Sequence, residues 1–451
     1  MKPLTRKAKR TIDRALVQLF SKQGLFVPKW PDDFKRGDVL SREVKLADNK
    51  LLFLTDLGVE RFREVVGILH DEDLFGGQVA YSDAWSACRE ALQELLSLDQ
   101  RPDLETEFVT RVFDTLQKLI GDHTFVVPLL GVEFKDVDEL AIGSFRVVRP
   151  SLDYLNAKGI VSTQEHAPRF VEDSKHVLWL TGTVRATAKV AVVKFRERAQ
   201  LITGLISIVA GSMYENGAHG FRIGIAMSPE EAHGRAKYIS WREDNKSLVT
   251  TYQFSRGQRL TIDPERRADL EASILGQRAT SIIESTTRSE LEEAIARAIH
   301  WYSDAHRDEV FVMRFLKYWS CVEAFFSSSK KKITAAVSIG LAATLTHGHF
   351  KAAPPEQYSK LRKQVVRLYG LRSQAAHRAA YDHITEKEVA DLSQWVSWLI
   401  LNALVFVDRG ANTTSQLSKW TNAVHRRNSR AWGWLRSLGD RVRRVFGVLK
   451  N

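Results

Sequence analysis

Apolar side chains recur at helical spacing near both ends of the chain and give way to β-branched runs between them. Residues 3–22 carry Leu4, Ala8, Ile12, Ala15 and Leu19 on one stripe and Arg6, Lys7, Arg10 and Arg14 on another face, which predicts an amphipathic helix stopped near Gly24. Cys88, Leu92 and Leu95 mark a second helix. Phe108, Val112, Phe113, Leu116 and Ile120 mark a third, with Asp103 as its cap. From residue 123 to 262, β-branched and aromatic runs bounded by Gly, Pro and Asp predict strands over 124–134, 145–149, 177–186, 190–195, 221–226, 237–241 and 248–254.

After Asp263 the pattern is helical again. Ser289 and Glu292 form a capping box ahead of Leu291, Ile295, Ile299 and Tyr302. A helix over 309–326 aligns Phe315, Trp319, Val322 and Phe326, and one over 333–345 aligns Ile333, Val337, Leu341 and Leu345. Pro354 and Pro355 open a helix through Tyr358, Leu361, Val365 and Leu368; Thr385 and Glu388 cap a last one through Val389, Leu392, Val396 and Leu399. The fold class this predicts is α+β multidomain: a helical N-terminal region (1–122), a β-rich middle domain (123–270), an all-α bundle of five helices (280–410) and a basic amphipathic tail (411–451).

Composition narrows the partners. An apolar share of 44% with 27% charged residues describes a chain that folds around real cores rather than a disordered one. The net charge of +12 favours a polyanion, nucleic acid ahead of an anionic membrane surface. Much of that charge lies after Val424, where eight Arg and Lys residues alternate with Trp432, Trp434, Leu435 and Phe446. Cys88 and Cys321 alone make neither a disulfide framework nor a four-cysteine zinc site. The first twenty residues lack the apolar centre of a signal peptide, and the longest apolar stretch, Leu201 to Ala210, is half a bilayer crossing. The expectation is a cytoplasmic protein with no transmembrane segment.

No phosphate loop, His-Glu-x-x-His, Gly-x-Ser-x-Gly or Cys-x-x-Cys is present, which removes support for dehydrogenase, P-loop NTPase, zincin and lipase readings. The pair that fits a chemistry is Arg372 with His377, separated by four residues. A guanidinium grips a phosphate bidentately and stabilises the charge that builds on it, while an imidazole exchanges protons with a 2′-hydroxyl or leaving oxygen near neutral pH. As a string, the pattern of an Arg, four to six residues and a His is unselective, since Arg63 to His70, Arg169 to His176 and Arg378 to His383 also satisfy it, about the number chance supplies. Context sets Arg372 and His377 apart: they close an amphipathic helix of the bundle, and Glu323 stands two helices earlier, one turn after Trp319.

The succession LKYWSCVEAFF, a variable helix, KLRKQVVRLYGLRSQAAH and a long apolar helix resembles the HEPN superfamily, most closely its Apea-like branch, over residues 289–407. The resemblance implies that Arg372 binds phosphate, His377 is the acid/base, Glu323 orients Arg372 and Ser373 fills the polar position after the arginine. It implies an endoribonuclease needing no metal or cofactor, which cleaves RNA (tRNA among the candidates) by 2′-hydroxyl attack and leaves a 2′,3′-cyclic phosphate and a 5′-hydroxyl. It also implies a homodimer with a composite cleft, and a toxin-like role in bacterial antiphage defence and abortive infection. The β-rich domain would then receive a phage-derived or small-molecule trigger. Arg378 stands where Apea-like members often carry Gly, and with Lys330, Lys331 and Lys332 it would guide RNA to the site. Five positions of a straight helix turn about 500°, so Arg372 and His377 meet only if the helix bends or two protomers share the site.

Two other readings stay open. The bundle could be a non-catalytic scaffold that dimerises or binds nucleic acid. Alternatively Asp32, Glu43 and Lys45 resemble the metal-binding set of PD-(D/E)xK nucleases, and Glu133 with Lys135 repeats the Glu-x-Lys element.

Overall fold

The structure is a computed structural model that describes residues 4–26, 42–46, 50–71, 74–98, 104–158, 166–213, 221–226, 236–241, 248–252, 259–327, 333–378 and 384–429. Helix predominates over strand, and both are present, consistent with an α+β chain. The chain divides into two compact units, Met1–Phe125 with Thr183–Arg196, and Val126–Gly182 with Glu197–Asn451.

In the first unit, α1 (Arg6–Leu19) is capped by the Thr5 hydroxyl, which accepts from the Ala8 amide, and its predicted stripe of Ala8, Ile12, Ala15 and Leu19 is buried. The basic face, Arg6, Lys7, Arg10 and Arg14, is exposed. A small antiparallel sheet follows, β1 (Leu25–Phe26), β2 (Glu43–Lys45) and β3 (Leu51–Leu54), in the order β1-β3-β2. Helices α2 (Asp56–Asp71), α3 (Tyr81–Leu96) and α4 (Leu104–Leu119) join α1 around a core that includes Phe62, Leu92, Phe108 and Val112. Burial there pushes the Cys88 thiol up, which keeps it an inert core residue. The region expected as helical carries, besides its helices, this small sheet, which the periodicity did not predict. Asp103 lies outside the described residues.

The middle of the chain mixes strands with helices. The run predicted over 124–134 is two strands, β4 (Gly121–Leu130) and β5 (Val132–Phe134), broken at Gly131, whose φ of 75° is the left-handed region open to glycine. β6 (Glu139–Ile142), β7 (Phe145–Val148), α5 (Leu152–Ala157), α6 (His166–Ser174) and β8 (Leu178–Ala186) follow. The strand expected over 190–195 is instead the start of α7, a 26-residue helix (Ala188–Met213). Val190 to Val193 is a short apolar run whose period is ambiguous in isolation; burial of Ala191, Phe195, Ala199, Ile202 and Ile206 is helical. β9 (Gly224–Ile225) completes a sheet ordered β6-β7-β8-β4-β9. β10 (Ala236–Trp241) pairs antiparallel with β11 (Leu248–Tyr252), and β12 (Leu260–Ile262) pairs parallel with β5.

Short helices α8 (Pro264–Glu271) and α9 (Ile274–Glu284), capped by Asp263 and Ser273, precede the bundle. α10 (Glu290–Arg307) starts at the predicted Ser289/Glu292 capping box. α11 (Phe311–Phe326), α12 (Ile333–His347), α13 (Tyr358–Arg378) and α14 (Glu386–Asp408) follow, the last behind its own Thr385/Glu388 capping box. Among the described residues, α14 alone is long and apolar enough to cross a membrane, yet 67% of that span is buried inside the bundle, as in a core helix. A final helix, α15 (residues 414–429), packs Leu417, Thr421 and Val424 inward. His425 on it meets the Tyr358 hydroxyl at 2.9 Å, so the start of the expected basic tail belongs to the bundle. The basic and aromatic stretch from Arg430 onward lies outside the described residues.

Within the second unit, α7 lies close against α10. A Cβ on Gly204 would come within 2.6 Å of the Ile299 carbonyl oxygen, and the Thr203 and Ser303 hydroxyls are hydrogen-bonded at 3.2 Å. The polar and small residues that interrupt the apolar stretch from Leu201 to Ala210 are therefore the ones that let two helices approach. Gly204→Val is expected to cost about 1–3 kcal/mol, read as a lower urea midpoint. A second prediction concerns pH. Burial holds the imidazoles of His347 and His425 below their ordinary value, helped by Lys351 beside the first and Arg362 beside the second. An unfolded chain then takes up protons at higher pH than the folded one, so stability falls as pH drops through about 6.5. His425→Gln is expected to flatten that fall, measured by thermal unfolding across the interval.

Candidate active site

The site is built where α11 faces α13. On α13 the buried positions Leu361, Val365, Leu368, Tyr369 and Ala375 form one core-facing stripe, and Arg372 falls on it, one turn after Tyr369. A guanidinium at such a position needs a counter-charge. Glu323 on α11 supplies it: Arg372 Nη2 lies 3.0 Å from both carboxylate oxygens. The Tyr369 hydroxyl donates to Glu323 Oε1 at 3.1 Å, and its ring lies beneath the Arg372 guanidinium at 5.7 Å. Fully buried Trp319, one turn before Glu323, packs edge to face on the Tyr369 ring with centroids 5.2 Å apart.

This arrangement fixes protonation and direction together. Burial pushes the Tyr369 hydroxyl above its ordinary value, and the Glu323 charge and hydrogen bond add to the shift, so the phenol stays a neutral donor. Arg372 is held through Nη2 alone, and among the described residues its Nε and Nη1 make no hydrogen bond. With 24% of its side chain exposed, that remaining edge can accept a phosphate while Glu323 and Tyr369 keep the plane oriented.

The other sequence-predicted residues are placed differently. α13 is unbroken from Tyr358 to Arg378, so no bend brings His377 to Arg372; the two project about 140° apart on one chain. His377, Ser373 and Arg378 are all exposed. Ala375 is buried in its own bundle, and Ala376 beside it is exposed. Lys330, Lys331 and Lys332 lie outside the described residues. Tyr369 is the member sequence reasoning missed, although its position three residues before Arg372 signals a shared face.

Of the competing nuclease set, Glu43 and Lys45 flank buried Val44 on β2, which is antiparallel to β3, and Asp32 lies outside the described residues. Glu133 on β5 accepts from the Thr261 hydroxyl at 2.9 Å. Among the described residues, no three His, Cys, Asp or Glu side chains are grouped to hold a metal.

Glu323→Ala is expected to destabilise the bundle by about 1–3 kcal/mol, because it leaves a partly buried guanidinium unpaired. Glu323→Gln is expected to bring the Tyr369 pKa down towards its ordinary value without reaching it, since burial is the larger cause. Ultraviolet titration against a Tyr369→Phe background reads that shift.

No family model, curated protein or solved structure matches the chain.

Proposed function

We propose that the C-terminal bundle is a HEPN-type endoribonuclease that cleaves RNA without a metal. The observation that carries this reading is the Glu323, Tyr369 and Arg372 cluster. A carboxylate on one bundle helix orients an arginine on the facing helix, as the resemblance implies for those positions, and leaves its outer edge open to a phosphate. His377 on the solvent side of the same helix is accessible as acid/base.

Because α13 is one continuous helix on which Arg372 and His377 project about 140° apart, one chain would not supply both groups to one phosphate. The reading therefore includes a homodimer in which His377 of one protomer works beside Arg372 of its partner. Attack of the 2′-hydroxyl on the adjacent phosphorus would form the 2′,3′-cyclic phosphate and release the 5′-oxygen, which takes up a proton. Arg372 would stabilise the charge gathered on the phosphoryl oxygens. A cytoplasmic role in antiphage defence, with a trigger acting through the middle of the chain, belongs to the same proposal by family analogy.

The continuous α13 also favours a second reading, a bundle that binds nucleic acid or dimerises without cleaving, with Glu323 and Arg372 as a structural pair.

Purified protein with total tRNA in EDTA separates the two. The nuclease predicts cuts with cyclic-phosphate ends, lost by about 10²-fold or more in Arg372→Ala and in His377→Ala, and a dimer by sedimentation at micromolar concentration. Equal cleavage by all three proteins, or a monomer that cleaves, would overturn the assignment; RNA retention without cuts would favour the scaffold.

A further inference from the structure

A second site of different chemistry lies on the strands that precede the bundle. β7 and β8 run antiparallel with Val148 opposite Trp179, so Arg149, just past the end of β7, comes beside Leu178, the first residue of β8. There they meet Phe134 at the end of β5 and the turn after α6, and together they line a cleft of about 530 Å³. That size lies within the range of about 300–1,000 Å³ that holds small molecules.

Its lining is unlike a usual apolar pocket. Arg149, Lys175, His176 and Arg259 face it, against one carboxylate, Glu133, which already accepts from Thr261. Lys175 is paired with Glu172. Among the described residues, Arg149, His176 and Arg259 have no carboxylate partner. Arg149 is nevertheless held in place: its Nη2 donates to the Phe134 and Val137 carbonyls, both at 3.3 Å, and its guanidinium stands over the Phe134 ring at 5.7 Å. Arg259 enters beside it because β12 pairs in parallel with β5, Leu260 opposite Val132.

Like charges gathered around one cleft repel, and a compact anion carrying several charges relieves that repulsion at each of them. Two guanidiniums suit planar, bidentate recognition of phosphoryl oxygens. We propose that this cleft binds a small phosphate-bearing ligand, a nucleotide or a free polyphosphate. The proposal goes beyond the ribonuclease reading and does not depend on it, since it uses none of Glu323, Tyr369, Arg372 and His377.

Calorimetric titration of the full chain at low salt, with ATP, tripolyphosphate and adenosine as probes, tests it. Binding of ATP and tripolyphosphate but not of adenosine is expected, with a Kd weakened about tenfold or more in Arg259→Gln and in His176→Gln. Both are exposed positions, and unchanged thermal unfolding would show that the variants fold. ATP binding more tightly than tripolyphosphate would identify a nucleotide, and equal affinities a polyphosphate. Arg372→Ala is expected to bind the probes like wild type, which separates this cleft from the bundle site. Failure of both phosphate probes to bind, or affinities unchanged in both variants, would overturn the proposal. So would a short single-stranded RNA binding in their place with the same sensitivity to Arg259→Gln.

Discussion

The candidate chemistry depends on a charge placed where a helix turns towards its core. Arg372 continues the buried stripe of α13, and a partly buried guanidinium left unpaired there would cost about 1–3 kcal/mol. Glu323 answers it from α11, and Tyr369 adds a neutral donor to the same carboxylate. Trp319 closes the apolar side of the cluster by packing on the Tyr369 ring. Specificity of direction follows: with Nη2 committed to the interior, the arginine presents its other edge outward.

The same regularity that places Arg372 removes His377 from it. A helix returns to the same face after three or four residues, not five. An Arg and a His separated by four residues on an unbroken helix therefore lie on two different faces, which is why the proposed ribonuclease reading brings in a second chain. Catalysis and oligomeric state become one question for this bundle.

The helices around the site are specified redundantly. Capping boxes open α10 and α14, prolines introduce α13, and Gly204 admits α7 close to α10. The strands are less uniform: a positive-φ glycine at 131 divides one expected strand, and that division frees β5 to pair in parallel with β12. The parallel pairing of β12 with β5 brings Arg259 to the cleft that Phe134 and Arg149 also line.

The amino-acid sequence by itself determined the five bundle helices and the capping boxes that open two of them, because helical period and capping are local properties; the pairing of Glu323 with Arg372 was expected only from the family resemblance. It also predicted most of the strands that formed. It misread Val190 to Val193, where four apolar residues carry no period until the buried positions of a 26-residue helix surround them. It could not show whether α13 bends, nor that Tyr369 completes the Glu323 pair, nor that α15 docks on the bundle, since each depends on what a face meets. The basic cleft was invisible for the same reason. Arg149, His176 and Arg259 share no spacing, and only strand register and a parallel pairing, long-range hydrogen bonding that no local pattern encodes, bring them to one place.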